Sequence, residues 1–371
     1  MIAGICWTPF QIINIINYRA QYASDEKIDI YVCLEFYEAE SIAIELSKLD
    51  YVRKVYTVKD PDYRNTNYLK KKINILVSMI NPVYAIKESV CEKIIPSKIK
   101  YDYILSTGYL NFNIYFNNYY KRRGSKIIFL DDGVASYLEK KTLFVYSQVY
   151  HFFERITGNG AENVMPEKLF VYKPDLVANK NRYREILPLQ SLELLPYNIK
   201  NDLNNVFKYT ELNLNYSLLI FDQLSVGNLN NSNEPYKIQN RILEMFALEF
   251  GEEDIIIKLH PRARQTSIYD KFSAFKSNIP WELFLLNQEM DDKIFVSITS
   301  TACLTPKLIF DKEPIVIFLY NLIPTEGYEI IDKYIRKVKE IYRDPDKVLI
   351  PKTLEELKHA LKKIKSINLG Y

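Results

Sequence analysis

Ile255-Ile256-Ile257-Lys258-Leu259-His260-Pro261-Arg262 is the stretch on which the fold turns. An apolar run of strand length that stops at a proline is the pattern of a strand buried on both faces, as in a parallel sheet. In open α/β sheets ligands bind outside the carboxyl ends of the strands, so His260, delivered there, is expected to meet a phosphate. A lone histidine at such a place is more often structural than catalytic, and its weight depends on what else reaches the same edge.

The surrounding chain keeps the same rhythm. Strand Tyr216 to Phe221 precedes a helix over Tyr236 to Phe250, which Gly251 stops. Past the His-Pro come a helix near Tyr269 to Phe275, strand Ile294 to Ile298, a helix from Leu304 to Phe310 and strand Pro314 to Leu319. The first half alternates likewise, with strands at Ile2 to Trp7, Ile28 to Cys33, Val52 to Val58, Tyr101 to Leu105, Lys126 to Leu130 and Leu169 to Pro174. Helices fall over Ala39 to Lys48 and Asn111 to Tyr120, and an aromatic run of helical period covers Tyr137 to Arg155. The polar segment from Ala178 to about Tyr209, broken by Pro188 and Pro196, reads as a linker. Two domains are expected, residues 1–190 and 191–371, each an α/β unit wound about a parallel sheet.

Length and composition agree. A chain of 371 residues exceeds what one hydrophobic core usually serves. Its 49 basic and 46 acidic side chains leave a net charge of +3, too balanced for a protein whose main partner is nucleic acid. Cys6, Cys33, Cys91 and Cys303 form no CxxC pair, which argues against a zinc site or a disulfide framework and for reduced thiols in the cytoplasm. Nothing resembles a signal peptide or a membrane-spanning run.

Four places could carry chemistry. Thr8-Pro9 is a strong helix start directly after a strand, and with Gln11 behind it the helix N-terminus could hold an anion or a sugar carboxylate, or be a plain cap. Ser106-Thr107-Gly108 is a small-residue turn that lets another group approach the backbone. Asp131-Asp132-Gly133 puts two carboxylates at the end of an apolar strand, where alternation allows only one of them to enter a given cleft. Ser300-Thr301 offers hydroxyls and backbone N–H groups where a strand runs into a helix. No Walker loop, GxGxxG, HExxH or spaced carboxylate set is present, so neither a P-loop NTPase, a Rossmann dehydrogenase nor a metal site is expected. At the end of the chain, a Thr353/Glu356 capping box opens a helix with Leu354, Leu357, Leu361 and Ile364 on one face and lysines opposite. It is expected to pack on the second domain, a peripheral membrane contact being the alternative.

Cys6-Trp7-Thr8-Pro9-Phe10-Gln11, Asp131-Asp132-Gly133, Lys258-Leu259-His260-Pro261, Pro280-Trp281-Glu282 and Ser300-Thr301, in that order, resemble the bacterial sialyltransferases of glycosyltransferase family 52. The resemblance runs through nearly the whole chain and implies the GT-B architecture, two Rossmann-like domains with parallel sheets facing a central cleft. It implies an inverting, metal-independent transfer of sialic acid from CMP-sialic acid to a galactose-terminated glycan, with no cofactor. Asp131 would be the general base and Asp132 its neighbour, with Thr8, Pro9, Gln11 and Gly133 on the acceptor side. His260 would lie against the CMP phosphate as acid or electrostatic stabiliser, Ser300 and Thr301 would bind the phosphate oxygens with Lys258 and Pro261 beside them, and Glu282 would bind the ribose. Relatives of this kind also form homodimers.

Two departures keep alternatives open. Threonine stands where the pattern has a second serine, and Asp222, after its own strand, is an alternative base. The family also holds transferases of other sugars, and a non-catalytic nucleotide-sugar-binding scaffold is the rival of another class.

Overall fold

A computed structural model of the chain describes residues 1–60, 68–108, 110–138, 148–159, 165–211, 216–222, 234–259, 269–275, 277–323 and 328–368. They form two compact units, Met1–Tyr209 and Thr210–Tyr371.

The first unit is built on seven parallel strands, β1 (Ile2–Cys6), β2 (Ile28–Cys33), β3 (Val52–Val58), β4 (Tyr103–Ser106), β5 (Lys126–Leu130), β6 (Lys168–Val171) and β7 (Glu185–Pro188), in the order β3-β2-β1-β4-β5-β6-β7. β1 and β2 are buried along their whole length, which is why their sequences are apolar rather than alternating. Helix Pro9–Tyr22 lies close on β1, since a methyl group at Gly4 would stand only 2.8 Å from Ile15 Cγ2. Carboxylates enter this core with partners: Asp29 on β2 is fully buried and accepts from Arg53 Nε at 2.8 Å and from the Tyr101 hydroxyl at 2.7 Å.

The unit ends later than the sequence suggested. The expected linker contains β7, whose half-exposed edge position tolerates polar residues and the closing Pro188, and helix Tyr197–Val206, which buries Ile199, Leu203 and Val206 against helices Pro9–Tyr22 and Ala39–Leu46. The boundary expected at 190/191 therefore falls inside the first unit.

The second unit has six parallel strands, β8 (Leu218–Phe221), β9 (Ile255–Lys258), β10 (Ser273–Ala274), β11 (Ile294–Ser297), β12 (Ile315–Phe318) and β13 (Val348–Leu349), in the order β10-β9-β8-β11-β12-β13. The helix expected near Tyr269 to Phe275 is instead a turn leading into β10, a short edge strand on β9. Helix Leu354–Asn368 opens as its capping box requires, with Glu356 N donating to Thr353 Oγ1 at 3.1 Å. Leu357, Leu361 and Ile364 are buried, and the helix packs on helix Glu234–Phe250. That apolar stripe belongs to the core, so the membrane contact considered for it has no apolar face to use. Among the described residues no helix is long and apolar enough to cross a membrane. All four cysteines are free, Cys6, Cys33 and Cys303 buried and Cys91 exposed.

Candidate active site

In each sheet the strand order reverses at one place, and a crevice opens there outside the carboxyl ends of two strands. In the first unit the place lies between β1 and β4, so it receives Trp7-Thr8 after one strand and Thr107-Gly108 after the other. Polar side chains tie the two together. Trp7 Nε1 donates to Asn113 Oδ1 at 2.8 Å, and Asn113 Nδ2 donates to the Thr107 carbonyl at 2.6 Å. Gln11, buried in the first turns of its helix, accepts from Trp7 N at 2.7 Å and donates through Nε2 to Asp132 Oδ1 at 2.7 Å. Gly108 has φ +59°, and a methyl group there would lie 3.9 Å from Asp132 Oδ2. Asn113 is the organiser that sequence reasoning missed; an asparagine inside an aromatic helix gives no local signal. The anion cradle expected at this helix start is mostly used up. Pro9 has no N–H, Gln11 N is held by Thr8 Oγ1 at 3.3 Å and Ile12 N by the Thr8 carbonyl at 3.3 Å.

The two carboxylates after β5 part company. Asp131 is 1% exposed and accepts from Gly133 N at 2.8 Å, Tyr172 N at 3.1 Å and the Tyr137 hydroxyl, so it fastens the turn to β6 and to the following loop. Burial raises it to about 7, reinforced by the Asp132 charge and opposed by those three donors. Asp132 is half-exposed, its backbone N–H held by Ser136 Oγ at 2.7 Å. Gly133 takes φ +64°, which lets the chain turn away and leaves Asp132 in the crevice.

In the second unit the reversal lies between β8 and β11. β8 leads into Asp222, and β11 leads through Ser297 to Ser300 and Thr301. Ser300 N is held by Ser297 Oγ at 2.9 Å, while Ser300 Oγ makes no capping bond to the 3₁₀ turn Thr301–Leu304; both Ser300 and Thr301 are half-exposed. Trp281 sits at the centre of an aromatic cluster with Phe221, Phe284 and Phe295, and its Nε1 donates to the Ala302 carbonyl at 3.0 Å, which fixes helix Trp281–Asn287 against that turn. Lys258, at the end of β9, and Glu282 face each other electrostatically. Burial lowers Lys258 and raises Glu282, and each opposes the shift of the other. Asp222, the alternative base, is 3% exposed, accepts from the Tyr269 hydroxyl at 2.6 Å and sits among the residues of the second unit. His260 and Pro261 lie outside the described residues. Lys258, Glu282, Ser300 and Thr301 thus gather at the edge where Asp222 also ends, and Thr8, Gln11, Asp132 and Gly133 at the corresponding edge of the first unit.

No protein-family model matches the chain, and no curated protein sequence does. Solved structures resemble it along its length. The UDP-GlcNAc 2-epimerase of Methanocaldococcus jannaschii aligns with a TM-score of 0.54 at 12% identity, over 100% of this chain and 93% of that one. The glycotransferase of kitacinnamycin gives 0.54 at 10% identity, over 98% and 90%. The UDP-GlcNAc 2-epimerase of Neisseria meningitidis, bound to UDP-GlcNAc, gives 0.50 at 12%, over 100% and 91%. The chain has the GT-B fold. The expectation of two Rossmann-like units, each on a parallel sheet, is met. Because that fold serves both a transferase and epimerases here, it leaves the reaction to be argued from the side chains.

Proposed function

We propose that the chain is an inverting, metal-independent glycosyltransferase that moves sialic acid from CMP-sialic acid to a galactose-type hydroxyl of a surface glycan. The observation that carries this is Asp132, a half-exposed carboxylate oriented by Gln11 at the β1/β4 crevice, within an ordered set of motifs resembling family 52. A general base must come within about 3 Å of the hydroxyl it deprotonates. Asp131 is buried and engaged with three donors, so the role assigned to it on resemblance passes to Asp132, and Asp131 becomes the residue that positions the turn.

In this mechanism the first unit binds the acceptor and the second the donor. Asp132 accepts the acceptor hydroxyl proton as that oxygen attacks the anomeric carbon. The bond from that carbon to the CMP phosphate oxygen breaks with inversion. Charge growing on the phosphate is met by the donors His260, Ser300, Thr301 and Lys258. Glu282 takes the ribose hydroxyls. The free thiols suit an enzyme of the cytoplasm.

Incubation with CMP-sialic acid and lactose, with and without EDTA, tests the reaction. We expect CMP release and sialyl-lactose in both; no release in either would remove the sialyltransferase and leave the scaffold or a transferase of another sugar nucleotide. Asp132→Asn should lower kcat by roughly 100-fold or more, as should His260→Ala, with KM for the donor rising mainly in Glu282→Ala. Should Asp131→Asn or Asp222→Asn abolish turnover while Asp132→Asn keeps it, the base is misassigned. A second reading uses a UDP-sugar, since two of the similar structures are UDP-GlcNAc 2-epimerases. UDP release, or epimerised UDP-GlcNAc, in the parallel incubation would select it.

A further inference from the structure

The first unit carries an exposed apolar surface that the crevice does not use. On helix Tyr68–Ile80, Ile73, Val77 and Ile80 share one face and are 51%, 38% and 61% exposed. Phe152 and Ile156, one turn apart on helix Gln148–Thr157, are 60% and 66% exposed, and Tyr84 on helix Pro82–Ser89 is 50% exposed. The three helices adjoin. Helix Tyr68–Ile80 packs against both others, and Asn159 Nδ2 donates to the Met79 carbonyl at 2.6 Å, tying the ends of two of these helices together. Scattered exposed apolar residues are ordinary, but six on three neighbouring helices mark an interaction surface.

Around it, exposed cations outnumber exposed acids among the described residues. Lys70, Lys87, Arg122, Arg123 and Arg155 are exposed on these helices and in the loop that meets them, and the Arg122 guanidinium donates to the carbonyl of Thr157, the last residue of the helix bearing Phe152. Lys121, the residue before Arg122, lines a cavity of about 270 Å³ with Arg182 and Arg184. Burial lowers the Lys121 ammonium below its ordinary range, with Arg184 adding to the shift and Glu167 opposing it, so an anion entering the cavity would relieve it.

We propose that this face docks the chain on an anionic lipid bilayer. Apolar side chains ringed by Lys and Arg match a surface whose hydrocarbon lies beneath negatively charged headgroups. A second copy would bring two positive rims together, and a nucleic acid would leave the apolar centre unsatisfied. The docking depends on neither the donor nor the reaction assigned to the crevice.

Vesicle flotation of the full chain tests it. The chain should rise with vesicles of phosphatidylcholine plus phosphatidylglycerol, not with phosphatidylcholine alone, and should be released as salt increases toward about 0.5 M. Lys87→Glu with Arg155→Glu should weaken partitioning roughly tenfold or more. Phe152→Ser with Ile156→Ser should weaken it comparably while leaving the circular-dichroism melting curve unchanged. Absence of binding to the anionic vesicles, equal binding to both kinds, or binding indifferent to the substitutions would overturn the proposal. So would a shift from dimer to monomer in the Phe152/Ile156 variant on gel filtration, which would make a second copy the occupant.

Discussion

Asp131 and Asp132 are adjacent, chemically identical and oppositely placed. Which of them enters the crevice depends on the phase of the turn after β5, and a run of apolar residues followed by two aspartates is silent on that phase. The structure separates them through Tyr137 and Tyr172, partners 6 and 41 residues away that no local pattern reveals. The buried member has a consequence for pH. Its folded-state value of about 7 lies above the unfolded value near 4, so between those limits the folded chain binds the extra proton. Stability then declines as pH rises from about 4 to about 7 and levels off beyond. Asp131→Asn should remove that part of the decline, which thermal melts of the two proteins at about pH 5 and pH 8 would register as a smaller difference in the variant. An unchanged difference would mean that Asp131 is ionised throughout.

At the scale of elements, the start of helix Pro9–Tyr22 is the one that matters most, because it carries Gln11 to Asp132. Thr8→Ala removes the oxygen that holds Gln11 N and should cost about 1 kcal/mol. It should also lower kcat through the loosened amide, so a variant that melts lower but turns over normally would separate the cap from the site. Leu361→Ala in the terminal helix should cost about 2–5 kcal/mol in chemical denaturation, as expected of a core position and not of a lipid-facing one. Elements of this kind were legible where burial makes sequence monotonous. β1, β2, β5, β8, β9 and β11 announce themselves as apolar runs, and Thr8-Pro9 as a helix start. Elements at edges were not. Among the described residues Glu185-Ile186-Leu187-Pro188 pairs with β6 alone, and it keeps its flanks wet, so as a strand it looks like a linker. Ser273-Ala274 is held by β9 rather than by its own propensity, and Tyr269 to Phe275 therefore imitates a helix.

For the whole molecule, two units with separate sheets should not unfold as one. Calorimetry is expected to resolve two transitions, and CMP should raise only that of the second unit, by an amount that grows with its concentration. A single transition moved as a whole by CMP would show that the units are thermodynamically fused. The cysteines supply an independent clock for the same process. Burial holds the thiols of Cys6, Cys33 and Cys303 far above their ordinary range, so in the folded chain a maleimide should find Cys91 alone. As the protein opens, Cys6 and Cys33 become reactive with the first unit and Cys303 with the second. Peptide mapping of when each label arrives would thus report the order in which the two halves come apart, using only the protein's own side chains.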